Sequence, residues 1–177
     1  MKSNTHYLNR VSRFFKDELE LKIVQSYAEE CFTKYPLHSD SPTGTSSVLV
    51  HDPSIGDASI RQRIVSNISD HINNTVWNSI DLENITLLFY KWLPGSTIPW
   101  HTDSYEFGLS IYLNSKRWEL NWGGLFLFWN EDKKRIEGYL PEENSAVFIK
   151  NVMHTVSTIH LDCRVPRYSI QIFGNKK

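Results

Sequence analysis

Only two cysteines, Cys31 and Cys163, occur in 177 residues, and they show no metal-binding spacing. A disulfide framework and a thiolate metal site are therefore excluded, and both thiols are expected to be reduced. No apolar run approaches the length of a membrane span, and the opening Met-Lys-Ser-Asn-Thr-His-Tyr has none of the apolar character of a secretory leader. These two absences point to a cytoplasmic protein with no membrane partner. Excess charge is missing as well: 19 Lys and Arg face 20 Asp and Glu, for a net charge of -1. The broad basic footprint of a nucleic-acid binder is thus absent. Lys133, Lys134 and Arg135 form the one compact basic cluster, and it reads as a solvated turn between strands. The chain also lacks internal repeats and low-complexity linkers.

What is present is aromatic and periodic. The length fits one domain over 1–177, with helical support at about 10–80 and a barrel at about 85–175. An aromatic share of 13%, with six Trp, suits a β-rich fold whose large side chains close a cavity. Asp17 followed by Glu20 resembles a capping box that opens a helix. Leu19, Ile23, Tyr27 and Cys31 then recur every four residues, with Val24 and Ala28 beside them. A second helix starts near Asp57, striped by Ile60, Ile64, Ile68 and Ile72. Between the helices, 47–51 reads as a short strand.

From Ile85 the pattern changes. Strands are expected over 85–92, 98–101, 109–113, 125–129, 136–140, 146–149 and 168–173, separated by turn signals such as Pro94-Gly95, Gly123-Gly124 and Asn130-Glu131-Asp132. Two helices followed by about seven short strands imply a mainly β fold, a double-stranded β-helix (jelly-roll) backed by the two helices. The segment 125–129 is apolar on both faces and reads as interior. In two other strands one face is polar: Ser110, Tyr112 and Asn114 in one, Arg167, Ser169 and Gln171 in the other. Such faces meet either solvent or the mouth of a ligand-filled barrel.

Three His-x-Asp sequences occur. His38-Ser39-Asp40 lies in a polar run of turn formers. His160-Leu161-Asp162 has no histidine after it and falls between strands. Only His101 and Asp103 have strand-like runs on both sides and a histidine, His154, further on. Residues i and i+2 of an extended segment point to the same side, roughly 6.6 Å apart along the strand. Two converging side chains can span that distance to one ion, and the third ligand must come from another strand. Two imidazoles and one carboxylate suit Fe(II) and leave three coordination positions open. Arg167 with Ser169 two residues on can hold the far carboxylate of a 2-oxoglutarate chelated to that iron, because the planar guanidinium fork matches a carboxylate.

In order along the chain, Trp92-Leu93-Pro94-Gly95, His101-Thr102-Asp103, Ile111-Tyr112-Leu113-Asn114, Gly123-Gly124-Leu125-Phe126-Leu127, Ala146-Val147-Phe148, His154 and Arg167-Tyr168-Ser169-Ile170 resemble the Fe(II)/2-oxoglutarate-dependent dioxygenases. The likeness is to their prolyl-hydroxylase-like branch and covers about half the chain. The resemblance implies a jelly-roll with His101, Asp103 and His154 as iron ligands. It implies that Arg167, rather than its neighbour Arg164, pairs with the distal carboxylate of 2-oxoglutarate, and that Tyr112 adds a hydrogen bond there. It further implies O2 as oxidant, succinate and CO2 as products, and hydroxylation of an amino-acid, peptidyl or small-metabolite C–H bond. Leu125 stands where many relatives carry Glu, and Trp92 where Tyr is frequent. Those departures leave the subfamily and the substrate open.

Several alternatives fail on particular residues. Asp103 occupies the position a halogenase leaves free for halide. The chain has no His-x-His of the kind that cupin metal sites present. Phe173 stands where demethylases of alkylated nucleic acid carry a second arginine. A non-catalytic β-sandwich module that stacks ligands on exposed Trp stays open as the alternative. Trp100, Trp118 and Trp122 are the tryptophans placed to line a substrate pocket.

Overall fold

The computed structural model describes residues 7–34, 48–53, 57–73, 75 and 77–177. Strand β1 (Tyr7–Val11) and helix α1 (Glu18–Lys34) come first, then β2 (Val48–His51) and α2 (Ala58–Ile72). Eight strands follow: β3 (Thr86–Trp92), β4 (Ile98–His101), β5 (Phe107–Tyr112), β6 (Phe126–Asn130), β7 (Arg135–Tyr139), β8 (Ala146–Lys150), β9 (His154–Val156) and β10 (Arg167–Gly174). They form a six-stranded sheet, β1-β8-β5-β10-β3-β2, facing a four-stranded sheet, β4-β9-β6-β7. Every pairing is antiparallel. This is the expected jelly-roll.

Both helices cover the outer face of the larger sheet. The α2 stripe is buried as its spacing demands: Ile60, Ile64, Ile68 and Ile72 join Leu87, Phe89, Leu109, Ile111, Ile170 and Ile172 in one apolar layer. Asp57 caps α2, its side chain accepting from Ser59 N. The stripe expected on α1 is rotated. Its buried face is Leu21, Val24, Ala28, Cys31 and Phe32, while Leu19 is 64% exposed. Asp17 does accept from Leu19 N at 2.9 Å, but Glu20 does not close a capping box. Instead it reaches across to Asn67 and Arg63 of α2. The polar group that the sequence assigns to the cap is used between helices.

With leucines and isoleucines facing the helices, period-two alternation turns the polar faces of β5 and β10 inward, between the sheets. Register then decides which side chains meet. Ser169 lies opposite Tyr112 and Gln171 opposite Ser110 across β5–β10, and Arg167 lies opposite Trp92 across β10–β3. The segment expected to be interior on both faces is so on one only: Phe126 and Phe128 are buried, and Leu127 and Trp129 are half-buried. Its neighbour β7 is an edge strand with mostly exposed residues. Strands β1 and β9 are missing from the sequence reading, which places only a histidine at 154. The predicted strand at 47–51 is observed as β2, with Ser47 and the 38–40 His-x-Asp outside the described residues. Both cysteines are free and buried. Among the described residues no helix is long and apolar enough to cross a membrane.

Candidate active site

The two histidines meet because their strands are neighbours. His101, the last residue of β4, pairs directly with His154, the first of β9. An irregularity between Ile98 and His101 shifts the register on the way, and Pro99, which has no N–H to give a ladder, lies inside it. Thr97 Oγ1 donates to Val156 O at 2.9 Å and Thr155 Oγ1 donates to Ile98 O, pinning the irregular stretch to β9. The ring centroids of His101 and His154 are 4.2 Å apart. Asp103, two residues past the end of β4, completes the group. One ligand atom from each of the three residues lies within 4.8 Å of the others. Asp103 Oδ1 is 3.5 Å from His101 Nε2, and Oδ2 is 3.8 Å from His154 Nε2.

Each histidine has its tautomer set by the backbone. His101 Nδ1 lies 2.8 Å from Pro99 O, and His154 Nδ1 lies 2.8 Å from Val152 O. A carbonyl only accepts, so Nδ1 carries the proton and Nε2 turns a lone pair toward Asp103, as in metal-ligating imidazoles. The Asp103 carboxylate beside Nε2 would accept from the protonated ring and so raises the His101 pKa, whereas burial lowers that of His154 and favours its neutral form. Phe126 stacks on the His154 ring at 5.2 Å and fixes its plane. Gly108 makes room for the carboxylate. A Cβ there would stand 3.2 Å from Asp103 Oδ2 and 2.8 Å from Ile149 Cγ1.

Behind this group lies a buried cation with empty hands. Arg167 is 1% exposed, its guanidinium 4.5 Å from the centroid of the Trp92 ring and 5.1 Å from that of Tyr112. Among the described residues its Nε and Nη1 have no hydrogen-bond partner, nor does the Tyr112 hydroxyl, which lies near the guanidinium without a bond of normal geometry. Burial lowers the Arg167 pKa and raises that of Tyr112. A buried guanidinium lacking partners is costly in isolation and calls for an anion. Asp103 Oδ2 is buried and unpartnered too. These orphaned atoms, with the N, N, O donor set, fit a ferrous ion beside a dicarboxylate. Ser169 lies on the same strand face as Arg167. Its Oγ accepts from Trp92 Nε1 at 2.9 Å and from Gln171 Nε2 at 3.1 Å.

A recess opens over the His–Asp–His group. Its wall includes Tyr90, Trp92, Ile98, Phe126, Ile149 and Phe173, with Ser110 and Gln171 as the polar groups beside the three ligands. Arg167, Tyr112 and Ser169 do not line it; they are buried outside its wall. Of the tryptophans expected at a pocket, Trp118 is instead core, donating to Gly123 O at 2.8 Å and packed edge-on to Trp122. Trp100 is exposed beside the site without lining it. The recess tryptophan is Trp92, whose inward position follows from the alternation of β3. Tyr90, two residues before it and stacked on it at 5.8 Å, was legible from the same alternation but carried no motif. Arg164 is exposed and His160 lies in a surface turn, so neither rival enters the site.

The model of the 2OG-Fe(II) oxygenase superfamily matches residues 85–174. Among solved structures, the chain is similar to a Pseudomonas putida prolyl-4-hydroxylase at a TM-score of 0.80 and 15% identity, over 98% of this chain and 94% of that one. It is similar to a prolyl hydroxylase from Trichoplax adhaerens, solved with a hypoxia inducible factor peptide fragment, at 0.75 and 14%, over 97% and 84%. It is also similar to a viral collagen prolyl hydroxylase from Paramecium Bursaria Chlorella virus-1, solved with 2OG, at 0.66 and 14%, over 97% of each chain. At these identities the likeness is one of fold. No curated protein sequence matches the chain.

Proposed function

The chain belongs to the 2OG-Fe(II) oxygenase superfamily, and from that premise we propose that it hydroxylates a C–H bond of an amino-acid, peptidyl or small-metabolite substrate. As a 2-oxoglutarate- and Fe(II)-dependent dioxygenase it uses Fe(II), 2-oxoglutarate and O2. The assignment of residues is ours. His101, Asp103 and His154 hold the iron, and Arg167 holds the distal carboxylate of 2-oxoglutarate with Tyr112 and Ser169 beside it. The observation that carries this is the pairing of a His–Asp–His group with a buried arginine and tyrosine whose polar atoms lack partners. When bound, iron and 2-oxoglutarate supply the oxidising power, the co-substrate leaving as succinate and CO2 while oxygen passes to the substrate.

The chain's own residues bind, orient and exclude water. Asp103 lowers the charge of the site and is oriented by its fit against Gly108. The two Nδ1–H···O=C bonds keep both Nε2 lone pairs directed inward. The Trp92 and Tyr112 rings lie against the Arg167 guanidinium and confine it, leaving its fork for a two-point contact. Ile98, Phe126, Ile149 and Val156 dry the recess around the reacting centre, which strengthens every charge interaction inside it. A substrate of amino-acid or peptidyl type is supported by the fold shared with prolyl hydroxylases, one of them solved with a peptide.

Anaerobic titration with Fe(II) and 2-oxoglutarate tests the reading. The wild type is expected to give the visible metal-to-ligand charge-transfer band of a chelated 2-oxo acid. Asp103→Ala should abolish it by loss of iron, and Arg167→Ala should demand far more 2-oxoglutarate for the same band. A wild type without the band overturns the proposal. An unchanged titration in either variant removes that residue from its role.

A further inference from the structure

Gln171, on the inner face of β10, stands between two serines. Ser110 Oγ donates to its Oε1 at 2.7 Å, and its Nε2 donates to Ser169 Oγ at 3.1 Å. Trp92 Nε1 donates to the same Ser169 Oγ at 2.9 Å. The ends of this row lie in different places. Ser110 and Gln171 are on the wall of the recess, whereas Ser169 is buried off it, on the strand face of Arg167 and bonded to the indole that flanks the guanidinium.

A row of this kind has two self-consistent directions. A hydroxyl has one proton and two lone pairs, and an indole N–H only donates. Trp92 therefore always occupies one lone pair of Ser169. In the observed direction Gln171 occupies the other, so the single proton of Ser169 has to leave the row. Turning the Gln171 amide over reverses this: Ser169 spends its proton on Gln171 Oε1, and Nε2 donates to Ser110 instead. An ionised carboxylate accepts only. Beside Arg167 and Ser169 it gains a donor from the first direction and none from the second.

On the reading that Arg167 and Ser169 hold the distal carboxylate of 2-oxoglutarate, we infer that Gln171 is a positioning residue that directs the Ser169 proton to that carboxylate. Its amide N–H fills the lone pair through which Ser169 would otherwise turn away, and Ser110 holds the amide in that sense. One consequence reaches the recess. With the co-substrate in place the Ser110 proton is engaged by Gln171, and the wall offers the substrate lone pairs at Ser110.

The test is a double-mutant cycle read by the anaerobic charge-transfer titration at pH 8, with Fe(II) affinity as the control for folding. Ser169→Ala in the wild-type background is expected to weaken 2-oxoglutarate binding roughly fivefold, the worth of about one hydrogen bond. Gln171→Glu, ionised at that pH, accepts from both serines and captures the Ser169 proton. In that background Ser169→Ala should cost nothing further. Added charge weakens binding in both members of that pair alike, so it cancels from the comparison. Gln171→Leu captures no proton, and Ser169→Ala should keep most of its cost there. A fivefold cost of Ser169→Ala that persists in the Gln171→Glu background overturns the inference while leaving the site reading intact. Absence of the wild-type band overturns both.

Discussion

Gly108 shows how a residue with no side chain serves the site. Its backbone is ordinary strand, so alanine is allowed by conformation and excluded by space. The added Cβ would press on Ile149 Cγ1 at 2.8 Å and approach Asp103 Oδ2 at 3.2 Å. Ile149 can yield by shifting its side chain at a packing cost of about 1–3 kcal/mol. The carboxylate yields by turning, and turning takes it off the common point it shares with the two Nε2 atoms. Gly108→Ala should therefore lower Fe(II) affinity by about tenfold or more, as loss of support around a metal ligand does. Isothermal titration under nitrogen measures this. An affinity equal to the wild type would show that the carboxylate is held by something other than this gap. The His101–Asp103–His154 group was legible in the sequence because His-x-Asp between strands is a local pattern, and its three ligand atoms do lie within 4.8 Å of one another. Gly108 was not, since its role depends on a loop and a strand that only the fold brings to it.

At the scale of elements, legibility follows how strongly one face of each is buried. The α2 stripe was legible in full because all four isoleucines meet the sheet. The α1 stripe was legible in part: Val24, Ala28 and Cys31 are buried as read, but Leu21 and Phe32 take the burial that the spacing assigned to Leu19. Strand β9 was missed because three residues carry no periodicity of their own. Ile64 and Ile68, both wholly buried, should each cost about 2–5 kcal/mol on truncation to alanine. The denaturant midpoint should fall accordingly while Fe(II) binding by the folded protein stays unchanged, which separates the helical support from the site. The β6–β7 hairpin carries a different kind of determinant. Its basic cluster is not a free patch: Lys133 and Arg135 both reach Glu137, and Asn130 donates to it at 2.9 Å. The Lys133 hydrogen bond, followed by those of Arg135 and Asn130, holds the Glu137 carboxyl down from its usual 4.5 to about 2. A lowered folded-state value stabilises above the unfolded value and fades as pH falls through the folded one. Wild-type stability should thus exceed that of Glu137→Gln at pH 7, with the gap closing between pH 4.5 and about 2. Urea midpoints across that range check the sign; a gap that widens on acidification would contradict it.

For the whole molecule, the sheet–helix layering and the inward polar faces of β5 and β10 both come from alternation, which is why the fold and its inward-facing polar residues could be read together. The partners of those residues could not, because a register between strands distant in the chain is not written in either strand alone. Ser169 was legible as a residue of the inward polar face, but its bond to Trp92 and that of Gln171 to Ser110 depend on the β10 alignment with β3 and β5. Among the described residues, the same architecture leaves Asp103 Oδ2, the Tyr112 hydroxyl and two Arg167 nitrogens buried without hydrogen-bond partners. Each such atom costs free energy that a ligand recovers, so binding and stability are linked. A metal and 2-oxoglutarate each at a hundred times its dissociation constant should stabilise by about 2.7 kcal/mol apiece, worth roughly 5–10 °C in Tm for a chain of this size. Redox-inert Mn(II) in place of Fe(II) allows the measurement in air. The order of addition carries the argument. Mn(II) alone should raise Tm, and 2-oxoglutarate alone should raise it little, because on the proposed reading the metal would supply part of its hold. The two together should exceed the metal by a clear step. Arg167→Ala should keep the first increment and lose the second, while Asp103→Ala should lose both. A second increment that survives in Arg167→Ala would mean that the co-substrate is anchored elsewhere, and that the buried guanidinium between Trp92 and Tyr112 serves the core rather than the reaction.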